Sequence, residues 1–421
     1  MKLLTASTLL LACAVHLPSA PFPEHAANYR AQLSQRVLPY WLGKIDPTSG
    51  GFLLNDDAVT GFAMPVEKQL VSQVRMVWTF AHAHRQGLDD TNHSCLQAAW
   101  NGYRFLTNHF LDSTFGGYYW KTDLAGRTVD ERKIIYGESF VIYALVELHR
   151  ATKSPQPLAE AMRLYYLIQR HAHDNRHGGW HEHLTRDWQR LPDRDPHPEV
   201  EVAGFKSANT HLHLQEALAE LYEATHDPDV KRSLIEALRL NQRYFYPKNP
   251  GQSCFHRQPD WRAVTEPKSA GLSYGHNVEF AWLMIRAQEV LGRRPAWRHF
   301  YAHLQHALEH GYDHERGGLY HRGTGDDPAT DQDKIWWVQA EMMAALTDAL
   351  RHQEDPAQRL ALEQLVHFVD AHQTDPRSGI WLDTVTVDGN PKRTGLAHSW
   401  KANYHDVRAL VKFIEAFPPE R

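Results

Sequence analysis

The segment Asp112-Ser-Thr-Phe-Gly-Gly-Tyr118 is one of five copies of a short pattern that are spaced almost evenly along the chain. In each copy an Asp is followed four residues later by Gly, then by Gly or Ile, and then by an aromatic residue or Leu. The other copies begin at Asp46, Asp174, Asp313 and Asp375. One interval is double the others, so a degenerate copy is expected near Gly251. The pattern therefore predicts six repeat units of about 65 to 70 residues.

Between successive glycine turns lie two helix-length segments with apolar residues at three- and four-residue spacing. The predicted helices are 25–42, 67–86, 92–111, 137–151, 156–172, 209–225, 228–246, 276–291, 296–311, 335–351, 356–372 and 401–417. Six helical hairpins predict an all-α fold, a closed (α/α)6 barrel, with each Gly-Gly turn forming a tight loop or short β-hairpin at one rim. Glycine supplies the positive φ that such turns need, and Asp caps them. An open solenoid of hairpins is the alternative.

The repeat runs almost from end to end without a Ser/Gly-rich or Pro-rich linker, so residues 21–421 are expected to form one catalytic barrel domain. A net charge of −5 with dispersed Lys and Arg offers no basic face to nucleic acid. The chain has 13 Trp, 17 Tyr and 29 His. Aromatic faces and titratable rings suit a sugar-binding cavity, although most of these histidines are expected between helices or on the surface.

Residues 1–20, MKLLTASTLLLACAVHLPSA, resemble a short secretory signal, with an apolar stretch that is too short to span a bilayer stably. The segment predicts a periplasmic or secreted protein, and the alternative is the N-terminal helix of a cytoplasmic one. Leu10-Leu-Ala-Cys13 weakly resembles a lipoprotein cleavage site, which leaves lipidation of Cys13 open. Cys95 and Cys254 are the other cysteines, so neither a disulfide framework nor a cysteine metal site is implied.

Three histidine clusters begin predicted helices at corresponding points of the repeat. In the first, Asn209, His213 and Glu216 share one helix face, Asn209 can cap the helix, and His211 points elsewhere. In the second, His276 and Glu279 lie one turn apart, so the carboxylate can orient the imidazole.

The third cluster is His398 to Arg408, which contains His405. A single histidine at a helix start is most simply a cap or a packed ring. Three at equivalent positions indicate a shared site, because a ring of hairpins would bring them to one mouth.

Two more segments are expected at this mouth. Arg75 lies among apolar residues of a helix, where an unpaired guanidinium would be costly unless it binds an anionic or polar partner. Trp336 and Trp337 begin another inner helix, and are either core residues or a platform for a sugar ring. No His-x-x-x-His pair has a carboxylate at ligand spacing on the same helix face, so no catalytic metal or other cofactor is expected.

Together these segments resemble the N-acylglucosamine 2-epimerase superfamily, and most closely its cellobiose 2-epimerase branch. The resemblance covers the chain after the first twenty-odd residues. It rests on Asn-Thr-His-Leu-His-Leu-x-Glu-Ala at 209–217, Gly-His-x-x-Glu-x-x-Trp-Leu at 275–283, Lys-x-Trp-Trp-x-Gln-Ala-Glu at 334–341 and Trp-Lys-x-x-Tyr-His at 400–405. The last motif has Ala402 and Asp406 where disaccharide epimerases tend to have Pro and Asn, so a disaccharide substrate is less strongly implied than the activity.

The resemblance implies an (α/α)6 barrel that interconverts sugars at C2 without a metal. It implies His276 and His405 as the acid/base pair, His213 as a third active-site histidine, and Glu279 as the partner of His276. It also implies that substrate is bound by Arg75, Asn209, Trp337 and Trp400. Imidazoles with pKa values near neutrality suit the removal and return of a proton at C2, and Arg75 suits the developing oxyanion.

The expected substrate is a mono- or disaccharide, and the expected assembly is a monomer or homodimer. An aldose–ketose isomerase of the mannose isomerase type uses nearly the same groups and is the main alternative. A glycoside hydrolase would need two carboxylates flanking the cavity. A non-catalytic sugar-binding member is a further alternative, although His213, His276 and His405 are all present.

Overall fold

The computed structural model describes residues 21–191, 203–265 and 271–419. The predicted signal segment 1–20, with Cys13, lies outside these residues. In the described part of the chain, no helix is both long and apolar enough to cross a membrane. Twelve helices account for most of the structure, and their bounds agree with the predicted segments to within about three residues. They are α1 (Phe22–Gln32, continued by Leu33–Val37 and Leu38–Leu42), α2 (Leu70–Arg85), α3 (Ser94–Phe105, continued by Leu106–Phe110), α4 (Ile135–Thr152), α5 (Pro155–His171), α6 (Ala208–Thr225), α7 (Pro228–Leu240, continued by Asn241–Phe245), α8 (Tyr274–Val290), α9 (Trp297–His310), α10 (Trp336–His352), α11 (Pro356–Phe368, continued by Val369–Gln373) and α12 (Tyr404–Ala416).

The even-numbered helices form an inner ring, in which each helix packs against the next and α12 packs against α2. The odd-numbered helices form an outer layer, with α3 on α2, α5 on α4, and so on to α1 on α12. Inner helices are buried on every side, as shown by α2, which is buried from Leu70 to Ala83. The closed (α/α)6 barrel is thereby confirmed, and the open solenoid is wrong.

Short strands lie before the inner helices and pair in small antiparallel sheets around one rim. The strand that precedes each inner helix pairs with a strand of another repeat unit. The pairing of β15 with β1 joins the last repeat unit to the first. The strands are β1 (Asp56–Asp57), β2 (Gly61–Phe62), β3 (Lys68–Gln69), β4 (Lys121–Thr122), β5 (Thr128–Asp130), β6 (Lys133–Ile134), β7 (His183–Leu184), β8 (Lys206–Ser207), β9 (His256–Arg257), β10 (Leu272–Ser273), β11 (Arg322–Gly323), β12 (Lys334–Ile335), β13 (Thr384–Val385), β14 (Pro391–Arg393) and β15 (Gly395–Ala397).

The Asp-x-x-x-Gly-Gly copies form tight turns that connect outer helices to the inner rim. In the copy at Asp112, one carboxylate oxygen accepts hydrogen bonds from the backbone N–H groups of Thr114 and Phe115 at 3.0 and 3.2 Å. Gly116 and Gly117 have φ values of 72° and 68°, which side chains disfavour. The predicted turn and its Asp cap are therefore confirmed.

In four of these turns the Asp forms an ion pair with a buried lysine, which the sequence analysis did not predict. Lys133, on the strand before α4, lies 3.2 Å from Asp112, and both side chains are fully buried. Removing one partner of such a buried pair costs about 3–5 kcal/mol, because the other charge is left uncompensated. The equivalent pairs are Lys68–Asp46, Lys206–Asp174 and Lys334–Asp313.

The degenerate copy near Gly251 has a different structure. Pro250–Gln252 form a single 3₁₀ turn, and Gly251 is absent from the glycines with positive φ. At the position of the paired lysines, the strand before α8 carries Leu272. This repeat unit therefore lacks both partners of the buried ion pair.

Candidate active site

A cavity of about 290 Å³ lies at the N-terminal ends of the inner helices. The repeat places the N-terminal part of each inner helix at this rim, so side chains from all six inner helices and from the loop before α12 converge there. All eight residues that the sequence analysis selected line the cavity. The complete lining is Arg75, Tyr136, Asn209, His213, His276, Glu279, Trp336, Trp337, Trp400 and His405.

His213 and Glu216 lie one turn apart on α6, and both are buried. The Nδ1 atom of His213 lies 2.9 Å from the Glu216 carboxylate, so the carboxylate orients the ring. The helix is capped by Ser207, whose hydroxyl accepts from the N–H of Thr210. The expectation that Asn209 forms the cap is wrong, because α6 begins one residue earlier, at Ala208.

His405, in the first turn of α12, is oriented by a residue from the neighbouring inner helix. Its Nδ1 atom lies 2.7 Å from Glu341 Oε1. A carboxylate at this nitrogen keeps the ring proton on Nδ1 and leaves the lone pair on Nε2. Glu341 also accepts the indole N–H of Trp282 at 3.0 Å, so the carboxylate is itself fixed.

His276 has a different partner from the one expected. Its Nδ1 atom lies 2.8 Å from the hydroxyl of Ser273, which caps α8. The proposed pairing of His276 with Glu279 is wrong, because Glu279 instead accepts a hydrogen bond from Arg408 at 3.1 Å. A hydroxyl can donate or accept, so Ser273 leaves the tautomer of His276 open. The ring packs edge-on against Trp337 at a centroid distance of 4.6 Å.

Arg408 joins the carboxylates below the cavity into one buried cluster. Its guanidinium donates to Glu341 at 2.7 Å and to Glu279 at 3.1 Å, and also contacts Glu216. The carboxylates that orient His213 and His405 therefore share one cation. The sequence analysis gave Arg408 no role, although an arginine at i+3 from His405 in an apolar helix was a usable signal.

Burial lowers the pKa of all three histidines. The pKa of His405 falls to about 3, because burial outweighs the opposing effect of the hydrogen bond that His405 donates to Glu341. The pKa of His213 is also lowered by burial, and that of His276 lies well below its usual value through burial and the nearby His213. The expectation of pKa values near neutrality is therefore wrong, because desolvation disfavours the charged ring.

The pKa values of the carboxylates Glu279 and Glu341 shift in opposite directions. Burial and the neighbouring Glu341 raise the pKa of Glu279 well above its usual value. Burial would also raise the pKa of Glu341, but Arg408 and the hydrogen bond from His405 outweigh it and lower the pKa. Glu341 is therefore the ionised member that anchors His405.

Arg75 is buried, and in the described part of the chain no carboxylate lies within salt-bridge distance of it. It donates to the Tyr136 hydroxyl at 3.0 Å, and its guanidinium packs over the rings of Phe140 and Tyr404. Its positive charge is thus available to a group that enters the cavity. The anionic or polar group that the sequence analysis predicted as the partner of Arg75 therefore stays a prediction.

The indoles of the lining differ in exposure. Trp336 is buried, whereas Trp337 and Trp400 are half-buried and present part of their surface to the cavity. Trp337 lies between two of the histidines, with ring centroids 4.6 Å from His276 and 6.0 Å from His405. The interpretation as a core residue is therefore confirmed for Trp336, and the stacking of a sugar on either ring stays a prediction.

Glu279, Glu341 and His405 place ligand atoms within 4.8 Å of one another, which is the spacing of a metal site. Arg408 already donates to both carboxylates, so a divalent cation would have to share this position with a guanidinium.

Glu279 is the single carboxylate among the described residues that line the cavity. This arrangement does not provide the pair of flanking carboxylates that glycoside hydrolysis needs.

An (α/α)6 barrel with imidazoles, indoles and an uncompensated guanidinium at one mouth belongs to the carbohydrate-active barrels. Residues 51–409 match the family model of N-acylglucosamine 2-epimerase. A cellobiose 2-epimerase of Bacteroides fragilis is 31% identical over 91% of this chain and 97% of its own length. A D-mannose isomerase of Marinomonas mediterranea is 24% identical over 91% and 96%. The solved cellobiose 2-epimerase of Spirochaeta thermophila is 30% identical, covers 94% and 97% of the two chains, and superposes with a TM-score of 0.83.

The chain belongs to the N-acylglucosamine 2-epimerase family. It is an isomerase-class enzyme with a saccharide substrate.

Proposed function

We propose that this enzyme inverts the configuration at C2 of a reducing sugar through an enediolate, with His405 and His276 on the two sides of the reacting carbon. The observation that carries this proposal is the unequal anchoring of two imidazoles in one cavity. Glu341 fixes Nδ1 of His405, whereas Ser273 holds Nδ1 of His276.

His405 acts as the base in the first step. Its lone pair on Nε2 faces the cavity because Glu341 holds the ring proton on Nδ1. The open-chain aldose loses its C2 proton to Nε2, the C1–C2 bond gains double-bond character, and the electron pair of the carbonyl moves onto O1. The buried Glu341 carboxylate stabilises the imidazolium that forms.

His276 acts as the acid in the second step. Ser273 can accept the Nδ1 proton, so His276 can act as the imidazolium: it takes up a proton from solvent, delivers the Nε2 proton to the opposite face of C2 and returns to the neutral imidazole. The carbonyl at C1 then re-forms. One turnover moves a proton from His276 to His405, and exchange with solvent restores both rings. In the reverse direction the two histidines exchange roles.

Arg75 stabilises the negative charge that develops on O1. A buried guanidinium without a carboxylate partner in the described residues interacts strongly with such a charge, and its position is fixed by the rings of Phe140 and Tyr404. Trp337 and Trp400 offer apolar faces to the C–H edges of the sugar, and Asn209 offers its amide to a hydroxyl.

We propose a disaccharide of the cellobiose type as the substrate, because similar proteins at 31% and 29% identity are named cellobiose 2-epimerases. The D-mannose isomerase in the same family supports the second candidate, aldose–ketose isomerisation. That reaction moves the proton from C2 to C1 and can use a single base on one face of the sugar.

The test compares kcat/KM for cellobiose, glucose, mannose and N-acetylmannosamine in the wild type and in His276→Ala and His405→Ala. Loss of a general acid or base costs about 10²–10⁴-fold, so both variants should lose turnover by this factor. His321→Ala is the matched control, since His321 neighbours His276 electrostatically but does not line the cavity. Turnover of His405→Ala close to that of the wild type refutes the acid/base assignment.

A further inference from the structure

A second group of potential ligands lies on the outer layer of the barrel, away from the catalytic cavity. Helix α9 carries four histidines on one face, His299, His303, His306 and His310. The first two have simple structural roles, because each ring nitrogen contacts a backbone carbonyl, of Tyr246 at 2.9 Å and of Pro247 at 3.1 Å. The last two differ, because a carboxylate from another segment lies beside them.

Asp326 belongs to the loop after β11, and its Oδ1 atom lies 3.3 Å from Nε2 of His306. The carbonyl oxygen of Gly325 lies 3.1 Å from the same nitrogen. The rings of His306 and His310 are 4.7 Å apart between centroids. Ligand atoms of His306, His310 and Asp326 all lie within 4.8 Å of one another. Two imidazoles and a carboxylate therefore lie close enough together to share one ion.

These separations suit a transition-metal ion. Zinc holds nitrogen and oxygen ligands at about 2.0–2.2 Å, so two ligands of a tetrahedral ion lie about 3.3–3.6 Å apart. The distance between His306 and Asp326 already falls in this range.

The Nδ1 atom of His306 has no hydrogen-bond partner among the described residues. The ring proton can therefore move to Nδ1 without breaking a hydrogen bond there, which frees Nε2 as a ligand. The main alternative is that His306 pins the loop through Gly325, as His299 and His303 pin theirs, and that His310 is a surface residue.

The position of the cluster supplies a structural reason for an ion. It lies beside Gly251, where the fourth repeat unit lacks the buried lysine–aspartate pair. A β-carbon at Gly251 would collide with the Asp326 carboxylate, so the glycine makes room for that group. The cluster thus joins α9, the loop after β11 and the degenerate turn.

We propose that His306, His310 and Asp326 bind one divalent transition-metal ion, of the Zn²⁺ or Co²⁺ class, that clamps this part of the barrel. Mixed imidazole and carboxylate ligands favour this class over Mg²⁺ and Ca²⁺, which prefer oxygen alone. The carboxylate comes from a loop sixteen residues beyond His310, so spacing along the helix could not reveal the site. The role is structural and separate from turnover in the catalytic cavity.

The experiment titrates the chelator-treated full-length protein with Zn²⁺ by calorimetry and with Co²⁺ by visible absorption, and follows the melting temperature. The wild type should bind one ion at this site and melt at a higher temperature with Zn²⁺. His310→Ala and Asp326→Asn should each weaken this binding at least about tenfold and lose the thermal shift. These two side chains are partly or largely exposed, so both variants should fold.

His367→Ala is the matched control, an exposed histidine on the outer helix α11, and should bind as the wild type does. Absence of binding to the wild type overturns the proposal. Equal binding to the wild type and to both ligand variants also overturns it, because the ion must then lie elsewhere, at the His84–Asp89–His93 group or in the catalytic cavity.

Discussion

Replacing Glu341 by Gln tests how the catalytic base is prepared. Glu341 accepts the Nδ1 proton of His405 at 2.7 Å and does not line the cavity. An amide can instead donate its N–H to Nδ1, which moves the ring proton to Nε2 and removes the lone pair that should accept the C2 proton. Glu341→Gln should therefore lower kcat by about 10²–10⁴-fold, the usual cost of losing a general base.

This loss corresponds to a barrier higher by about 3–5 kcal/mol, at 1.36 kcal/mol per factor of ten. KM should change little, since no cavity-lining atom is altered. Initial rates on cellobiose would be followed by NMR, and folding would be checked by circular dichroism. Asp348→Asn is the control, because Asp348 lies on the same helix and pairs with Lys412 away from the cavity. A kcat for Glu341→Gln within about threefold of the wild type would refute the tautomer argument.

Three further predictions concern stability, pH and metals. Lys206→Met leaves Asp174 buried without its partner at 2.8 Å and should lower the free energy of unfolding, measured in urea, by about 3–5 kcal/mol. Lys231→Met, at an exposed lysine, should leave this free energy unchanged. Equal losses in the two variants would contradict the stabilising role of the buried lysine–aspartate pair. The pKa of His405 is about 3 rather than the ordinary 6.5, so kcat/KM should not fall from neutrality down through pH 6.5, and an acid limb at or above 6.5 would contradict this. The same shift makes a stabilising contribution that is complete above pH 6.5 and is lost as the pH falls from 6.5 towards the folded-state value. EDTA should leave turnover unchanged because Arg408 already neutralises the buried carboxylates, and loss of activity that Zn²⁺ or Mn²⁺ restores would indicate a metal-dependent reaction.

The repeat made the barrel predictable. Glycine positions such as Gly116 and Gly117 need positive φ, and regular spacing of such turns fixes the number of hairpins before any contact is known. The same regularity places His213, His276 and His405 at one rim, because equivalent positions of a closed ring share a mouth. Local periodicity and repeat symmetry therefore predict both the architecture and the residues that line the cavity.

The partners of these residues were less predictable, since they depend on contacts between helices. Glu279 is one turn from His276 along the chain, yet it contacts Arg408 of another helix. Glu341 orients His405 across a helix interface. The pKa values were also beyond sequence reasoning, because desolvation depends on how deeply each ring is buried. Lys133 and its equivalents were overlooked because no local pattern links a lysine to an aspartate of another segment.

The most direct test of the C2 inversion is the earliest product formed in D₂O. Cellobiose would be incubated with the enzyme, and NMR would follow the products and the label at C1 and C2 from the first time points. The account predicts that the C2 epimer appears first and carries deuterium at C2, since His276 exchanges with solvent before it delivers its proton. A ketose that dominates from the earliest time points, with the epimer appearing only later, would contradict inversion by two histidines and establish the isomerase reaction.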